Sequence, residues 1–243
     1  MKETCPVELP PAALAGSNSQ KKCPEPTGRE TVVLLVRHGA TEWNRLSRYQ
    51  GRLDAPLSDE GLAQFRALVA AMSSVPLAAV YTAPLARSAA GAGMLADAHG
   101  LEPLVLPGLT EICHGAWEGL LLSEVAGRYA GLLRRWRTAP YEVRMPGPGG
   151  ETLAEVEERA WAALEQMAGA HPGGIILAVS HDTPIRTIIR RVLNLDQEHF
   201  WQIKLDNTGI NVLGRREGRW RVIMLNGTCH LGGFLRAGEQ LAL

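Results

Sequence analysis

The chain has 243 residues, 46% hydrophobic and 21% charged, with a formal net charge of zero. That composition suits one sizeable α/β domain or two small ones, and the balanced charge gives no reason to expect nucleic acid or an anionic membrane as partner. No apolar run approaches the roughly 20 residues of a membrane helix. The first residues lack the apolar core of a signal peptide, so a cytoplasmic protein is expected.

Residues 1–30 hold five prolines among lysines and small polar residues, with no periodicity. They read as a disordered or loosely held tail ahead of a single domain over 31–243. Then Val32-Val33-Leu34-Leu35-Val36 runs into Arg37-His38-Gly39, the pattern of a buried parallel strand emptying into a polar turn. In open α/β sheets, ligands bind beyond the carboxyl ends of strands, so Arg37 and His38 sit where such folds keep their chemistry. Residues 38–57 read as a long loop. Ser58 reads as the N-cap of a helix with Asp59 and Glu60 in its first turn and an apolar stripe of Leu62, Phe65, Leu68, Val69 and Met72.

Leu77 to Tyr81 is a second strand, and Pro84 is placed to open a helix with Arg87 in its first turn. Leu104 to Leu106 is a third strand, leading to Glu111, Cys113 and His114. Residues 121–137 read as one helix. Pro146-Gly147-Pro148-Gly149-Gly150 breaks the chain, and Thr152-Leu153-Ala154-Glu155 has capping-box spacing for a helix to about 169. Ile175 to Val179 is an apolar strand ending in Ser180-His181-Asp182-Thr183-Pro184, with Pro184 in the first turn of another helix. Asn207–Leu213 and Arg219–Leu225 read as strands of a hairpin across 214–218. The expected architecture is a three-layer α/β/α fold with a mostly parallel central sheet and an antiparallel C-terminal hairpin.

Four strand ends thus deliver polar groups: Arg37 with His38, Arg87, Glu111 and His181. Each alone is an ordinary polar residue, but five together make a pattern. Two arginines at one place imply an anion, since the planar guanidinium fork matches phosphate. The helix beginning near Pro184 adds its N-terminus to the same rim. A histidine there can act as nucleophile, and a glutamate can protonate the leaving oxygen and then activate water. These are the parts of a metal-free phosphomonoesterase, needing no cofactor and acting on a small-molecule phosphoester.

Leu35-Val36-Arg37-His38-Gly39-Ala40-Thr41-Glu42-Trp43-Asn44 closely resembles the signature of the histidine phosphatase superfamily, which includes the cofactor-dependent phosphoglycerate mutases. The resemblance continues through Tyr49-Gln50-Gly51, Pro56-Leu57-Ser58, Pro84-Leu85-Ala86-Arg87, Glu111, Trp117-Glu118-Gly119, Gly149-Gly150-Glu151-Thr152 and Ser180-His181, covering about 31–234. It implies that His38 is phosphorylated, that Arg37, Arg87 and His181 complete the phosphate pocket, and that Glu111 is the proton donor. It also implies that Asn44, Gln50 and Gly51 contact the phosphoryl group or substrate from the loop, and that the chain forms a homodimer.

One departure stands out. Many members carry Ser-His-Gly-Gly where this chain has Ser180-His181-Asp182-Thr183. An aspartate near phosphate is repulsive unless it points away, while the Thr183 amide can still serve. His114 and the segment Thr228-Cys229-His230-Leu231-Gly232 resemble the metal-independent phosphoserine phosphatase branch. That likeness implies that His114 and His230 hold the amino-acid part of L-phosphoserine, with its carboxylate as the expected contact. The alternatives are a broad-specificity, α-ribazole phosphate or sugar phosphate phosphatase, a phosphoglycerate mutase, or an inactive binding protein on the same fold. The four cysteines Cys5, Cys23, Cys113 and Cys229 lack CxxC spacing and read as free thiols. Zinc at Cys113-His114 and Cys229-His230 is not expected, because adjacent residues of extended chain point apart.

Overall fold

The computed structural model describes residues 29–232, so the tail expected over 1–30, apart from its last two residues, lies outside the described residues, as do Cys5, Cys23 and 233–243. In chain order the elements are β1 (Thr31–Arg37), α1 (Glu42–Arg45), α2 (Asp59–Met72), β2 (Leu77–Thr82), α3 (Ala86–Ala98), β3 (Pro103–Val105), α4 (Leu122–Arg128), α5 (Ala130–Thr138), α6 (Leu153–Ala170), β4 (Ile175–Ser180), α7 (Asp182–Val192), β5 (Ile210–Arg216) and β6 (Arg219–Gly227). The sheet order is β3-β2-β4-β1-β5-β6. β1, β2, β3 and β4 run parallel, while β5 is antiparallel to both β1 and β6.

β1 is central because both of its faces are apolar. Val33 and Leu35 pack with Leu164 and Met167 of α6 and Ile185, Ile188 and Ile189 of α7. Leu34 and Val36 face the other way, onto Phe65 and Leu68 of α2 and Leu95 of α3. The period of two along the strand therefore feeds two helical layers, giving the three-layer α/β fold. A third apolar cluster, around Tyr49, Trp117, Trp136, Val156 and Phe200, supports the loops beside the sheet.

The register between β1 and β4 sets the site. Arg37 pairs with Ser180, so both strands end level. The next residue on each is a histidine, and the His38 amide donates to the Ser180 carbonyl at 2.9 Å.

The structure corrects four boundaries. Residues 121–137 form two helices, because Tyr129 leaves helical geometry at φ −128°, ψ 32°. Its ring packs 6.1 Å from that of Trp117, and the break lets Val125 and Trp136 enter one cluster. The loop at 38–57 contains the short α1, nucleated by reciprocal bonds between Thr41 and Asn44. The segment 207–209 is a turn with Thr208 at φ 55° rather than the start of a strand. Gly214 stays inside β5 opposite Arg221, and the hairpin turns at Glu217-Gly218, both at positive φ, which matches the twist of the flanking strands. Among the described residues no helix is long and apolar enough to cross a membrane.

Candidate active site

His38 follows β1 and is 2% exposed. Its Nδ1 lies 2.8 Å from the Gly39 carbonyl. A carbonyl only accepts, so Nδ1 carries the proton and Nε2 keeps a lone pair. Burial, reinforced by the charges of Arg87 and Arg37, holds the imidazole well below its ordinary pKa. His38 is thus a neutral base with one nitrogen already committed. The Asn207 side-chain amide and the Thr208 amide both donate to its carbonyl, fixing the turn that presents the ring.

His181 is the N-cap residue of α7 and fully buried. Its ring centroid lies 5.2 Å from that of His38. Neither ring nitrogen of His181 has a partner among the described residues. Burial, then the charges of Arg87 and His38, depresses its pKa too.

The two arginines are held at their far ends. Arg37 Nη1 donates to the Leu205 carbonyl at 2.6 Å, and Arg87 Nη1 and Nη2 donate to the carbonyls of Leu53 at 2.9 Å and Gly51 at 2.7 Å. Burial lowers the Arg87 pKa to about 10, which leaves it a cation at neutral pH. The Nε of each is buried without a partner. Buried donors are nearly always satisfied, so two such guanidinium N–H groups and an unpartnered imidazole beside His38 describe a binding site for an anion.

Glu111 closes the group. Its Oε1 accepts from the Ile112 amide at 2.9 Å and the Thr183 amide at 3.3 Å. Burial, then the charge of Asp182, raises its pKa, so it is poised to hold a proton. The Thr183 amide, expected at the phosphoryl group, is therefore directed at Glu111. Asp182 turns away, paired bidentately with Arg186 and 3.7 Å from Arg37 Nη1. That pairing offsets the repulsion of phosphate that the sequence suggests.

Of the loop residues, Gly51 adopts φ 52°, and a Cβ there would overlap the Glu118 carboxylate. Gln50 Oε1 is buried without a partner. Asn44 Oδ1 is occupied by the α1 cap, accepting from Thr41 at 3.0 Å. His114 is buried among Tyr49, Trp117 and Trp136, with Nδ1 3.3 Å from Met145 Sδ. Burial drives its pKa down to about 3. His230 is half-buried, its Nε2 3.1 Å from Thr208 Oγ1. Since the Thr208 amide bonds the Arg37 and His38 carbonyls, that segment is linked to the His38 turn.

Arg159 and Arg52 escape the sequence reading, and both act on Glu151 of the Gly149-Gly150-Glu151-Thr152 motif. Arg159 of α6 donates to the carbonyls of Gly108, Thr110 and Glu111 and pairs with Glu151. Glu151 also binds Arg52 at 2.7 Å and the Cys113 amide at 2.9 Å. This network grips the loop that carries Glu111. In sequence, Arg159 is one more cation on a helix, and nothing distinguishes it. Among the described residues no group of three or more His, Cys, Asp or Glu side chains is placed to hold a metal ion.

A family model described as "Histidine phosphatase superfamily (branch 1)" matches residues 33–228. The chain is similar to phosphoserine phosphatase 1 of Hydrogenobacter thermophilus, 38% identical over 202 residues, covering 83% of this chain and 95% of that one. It is similar to the metal-independent phosphoserine phosphatase of Arabidopsis thaliana, 31% identical, covering 86% of this chain and 87% of that one. Among solved structures it is similar to a mutant phosphoserine phosphatase of Entamoeba histolytica in complex with phosphoserine. There the TM-score is 0.72 at 28% identity, covering 83% of this chain and 99% of that one.

Proposed function

The chain belongs to the histidine phosphatase superfamily and is a phosphomonoesterase, and on that premise we propose that it hydrolyses L-phosphoserine through a phosphohistidine on His38. One observation carries the reading. Arg37 Nε, Arg87 Nε and both His181 nitrogens are buried without partners beside a neutral His38. A phosphoryl group supplies the oxygens that the two guanidinium N–H groups and the one N–H of a neutral His181 lack.

In the first step His38 Nε2 attacks phosphorus and the ester P–O bond breaks. The electron pair goes to the serine oxygen, which takes the proton of Glu111. Arg37, Arg87 and one N–H of His181 hold the charge that spreads over the phosphoryl oxygens in transit. In the second step the Glu111 carboxylate takes a proton from water as the water oxygen attacks phosphorus. The N–P bond breaks, its pair returns to Nε2, and inorganic phosphate leaves. Glu111 ends protonated again, ready for the next ester.

The amino-acid part is assigned to His114 and His230. Met145 Sδ can only accept, so His114 Nδ1 carries the proton and Nε2 the lone pair. A neutral acceptor suits the substrate ammonium better than its carboxylate. The reading includes a single catalytic domain, a homodimer and a cytoplasmic location; sedimentation of the purified chain tests the dimer.

The deciding experiment compares kcat/KM on L-phosphoserine, L-phosphothreonine, 3-phosphoglycerate and α-ribazole phosphate at matched conditions. L-Phosphoserine is expected to lead by at least about tenfold, the low end of what the one extra methyl of L-phosphothreonine costs in a close-fitting pocket. A preference for another ester rejects the substrate. Conversion of 3-phosphoglycerate into an isomer, dependent on a bisphosphorylated primer, makes the enzyme a mutase.

A further inference from the structure

The residue after His181 is a buried carboxylate at the N-terminus of α7. Asp182 is 7% exposed and Arg186 is 2% exposed. Arg186 binds both Asp182 oxygens, at 2.9 and 3.0 Å from Nη2 and 3.2 Å from Nε. The guanidinium is itself immobilised. Its Nη1 donates to the Phe200 and Ile203 carbonyls, and its Cζ lies 5.4 Å from the Phe200 ring centroid and 5.2 Å from that of Trp201. A carboxylate pinned this way has little freedom, and Arg37 Nη1 lies 3.7 Å from its Oδ1. The next residue, Thr183, donates its amide to Glu111.

We propose that Asp182 is a positioning residue for the reaction: fixed by Arg186, it holds Arg37 with its Nε toward the phosphoryl site and places a permanent negative charge beside Glu111. This rests on Glu111 being the proton donor, as read above.

The two effects act on different groups. Arg37 Nη1 donates to the Leu205 carbonyl and lies within ion-pair distance, 3.7 Å, of Asp182 Oδ1, while its Nε is unclaimed by protein. Without Asp182 the guanidinium keeps only the carbonyl and can rotate. Glu111 is faced by Asp182 from α7, by Arg87 from α3, and by the Ile112 and Thr183 amides. Arg159 and Arg52 bind its main-chain oxygen. Asp182 is faced by Arg186, Arg37 and His114. Burial alone favours its neutral form, but the two arginines outweigh that and keep it ionised. Its charge opposes ionisation of Glu111, which keeps the donor protonated at a pH where an isolated glutamate has lost its proton.

The test is the pH profile of kcat, from about pH 5 to 9, on L-phosphoserine and on p-nitrophenyl phosphate. It is run on the full chain, Asp182→Asn and Asp182→Asn/Arg186→Gln. The double variant removes both charges together and carries the measurement if the single one does not fold, since a neutral pair leaves no buried charge alone. The falling alkaline limb on L-phosphoserine is expected to move down by about one pH unit in either variant. On p-nitrophenyl phosphate, whose leaving group departs without a proton, any alkaline limb belongs to another group and does not move. A rise in KM on both substrates reports the loosened Arg37. A uniform fall in kcat with an unmoved limb overturns the proposal, because a merely structural role gives that result. Glu111→Gln is run alongside and must abolish the limb. If the limb survives there, the assignment of the acid itself fails, whatever Asp182 does.

Discussion

The ring of His181 stands 5.2 Å from the ring of His38, tilted by 53°, and neither nitrogen of His181 meets a protein partner among the described residues. The pair divides the work. His38 has Nδ1 tied to the Gly39 carbonyl and offers Nε2 as nucleophile, while His181 has an N–H to give to a phosphoryl oxygen. His38→Ala is therefore expected to lose turnover by on the order of 10⁴-fold or more, together with the phosphoenzyme. His181→Ala is expected to keep a slow phosphoenzyme and lose about 10²- to 10³-fold in kcat, as removal of one charge-stabilising donor does. Quenched reactions with labelled substrate check both, through an acid-labile, base-stable adduct. An adduct that persists in His38→Ala refutes the nucleophile.

Glu111 separates substrates by their leaving groups. Serine leaves as a strongly basic alkoxide and needs a proton, whereas p-nitrophenolate does not. Glu111→Gln is expected to slow L-phosphoserine by about 10²- to 10³-fold, and p-nitrophenyl phosphate by much less. Gln keeps an oxygen for the Ile112 and Thr183 amides, so the local structure is retained. Equal losses on the two esters would mean that the side chain positions groups rather than transferring a proton.

The core of this site is legible in the sequence because strand ends are legible. Val32 to Val36 and Ile175 to Val179 are apolar runs that stop at a histidine, and their level register follows from parallel pairing. Pro84 and Pro184 mark helix starts that bring Arg87 and His181 to the same edge. What the sequence hides is tertiary. Arg159 reaches Glu111 from 48 residues away, and nothing local marks it. His114 carries a type suited to substrate binding, yet its ring sits in an aromatic cluster whose members are spread from Tyr49 to Trp136. Asp182 looks repulsive in sequence, and only the fold shows Arg186, one helical turn on, pairing with its carboxylate. The turn at 207–209 reads as strand because its left-handed Thr208 is not a residue that announces a turn.

Acid sensitivity follows from the buried histidines. His38, His114 and His181 all have folded pKa values below 6.5, so near that pH the unfolded chain takes up protons that the native chain refuses. Stability therefore falls as pH drops below about 6.5, by up to about 1.4 kcal/mol per pH unit for each such group. Glu111 works in the opposite direction, since its raised pKa means the native state binds a proton before the unfolded one. For His114 the window runs from 6.5 down to about 3. His114→Phe, which suits the aromatic cluster, is expected to flatten the dependence by one proton. Urea midpoints near pH 7 and pH 5 measure it. The same variant should lower kcat/KM on L-phosphoserine but leave p-nitrophenyl phosphate nearly unchanged. An unaltered pH slope would show that His114 is protonated in the native chain.

Arg159 offers the sharpest distinction between holding the acid and holding the phosphate. Its guanidinium bonds the carbonyls of Gly108, Thr110 and Glu111 and the carboxylate of Glu151, while Arg52 reaches Glu151 and Glu111 from the opposite loop. Arg159→Leu leaves three carbonyls and a partly buried carboxylate short of a donor. Its side chain is 21% exposed, so the loss is expected below that for a fully buried ion pair, about 2 kcal/mol. The Glu111 loop should then drift while Arg37, Arg87 and His181 stay in place, because none of them bonds to it through Arg159. The expected signature is a fall in kcat on L-phosphoserine of about tenfold, a KM within twofold of the parent, and a smaller effect on p-nitrophenyl phosphate. Arg159→Lys should rescue little, since one ammonium cannot span three carbonyls and a carboxylate in the geometry of a planar fork. A rise in KM with kcat unchanged would place Arg159 in substrate binding instead, and steady-state kinetics on the two esters distinguish the cases.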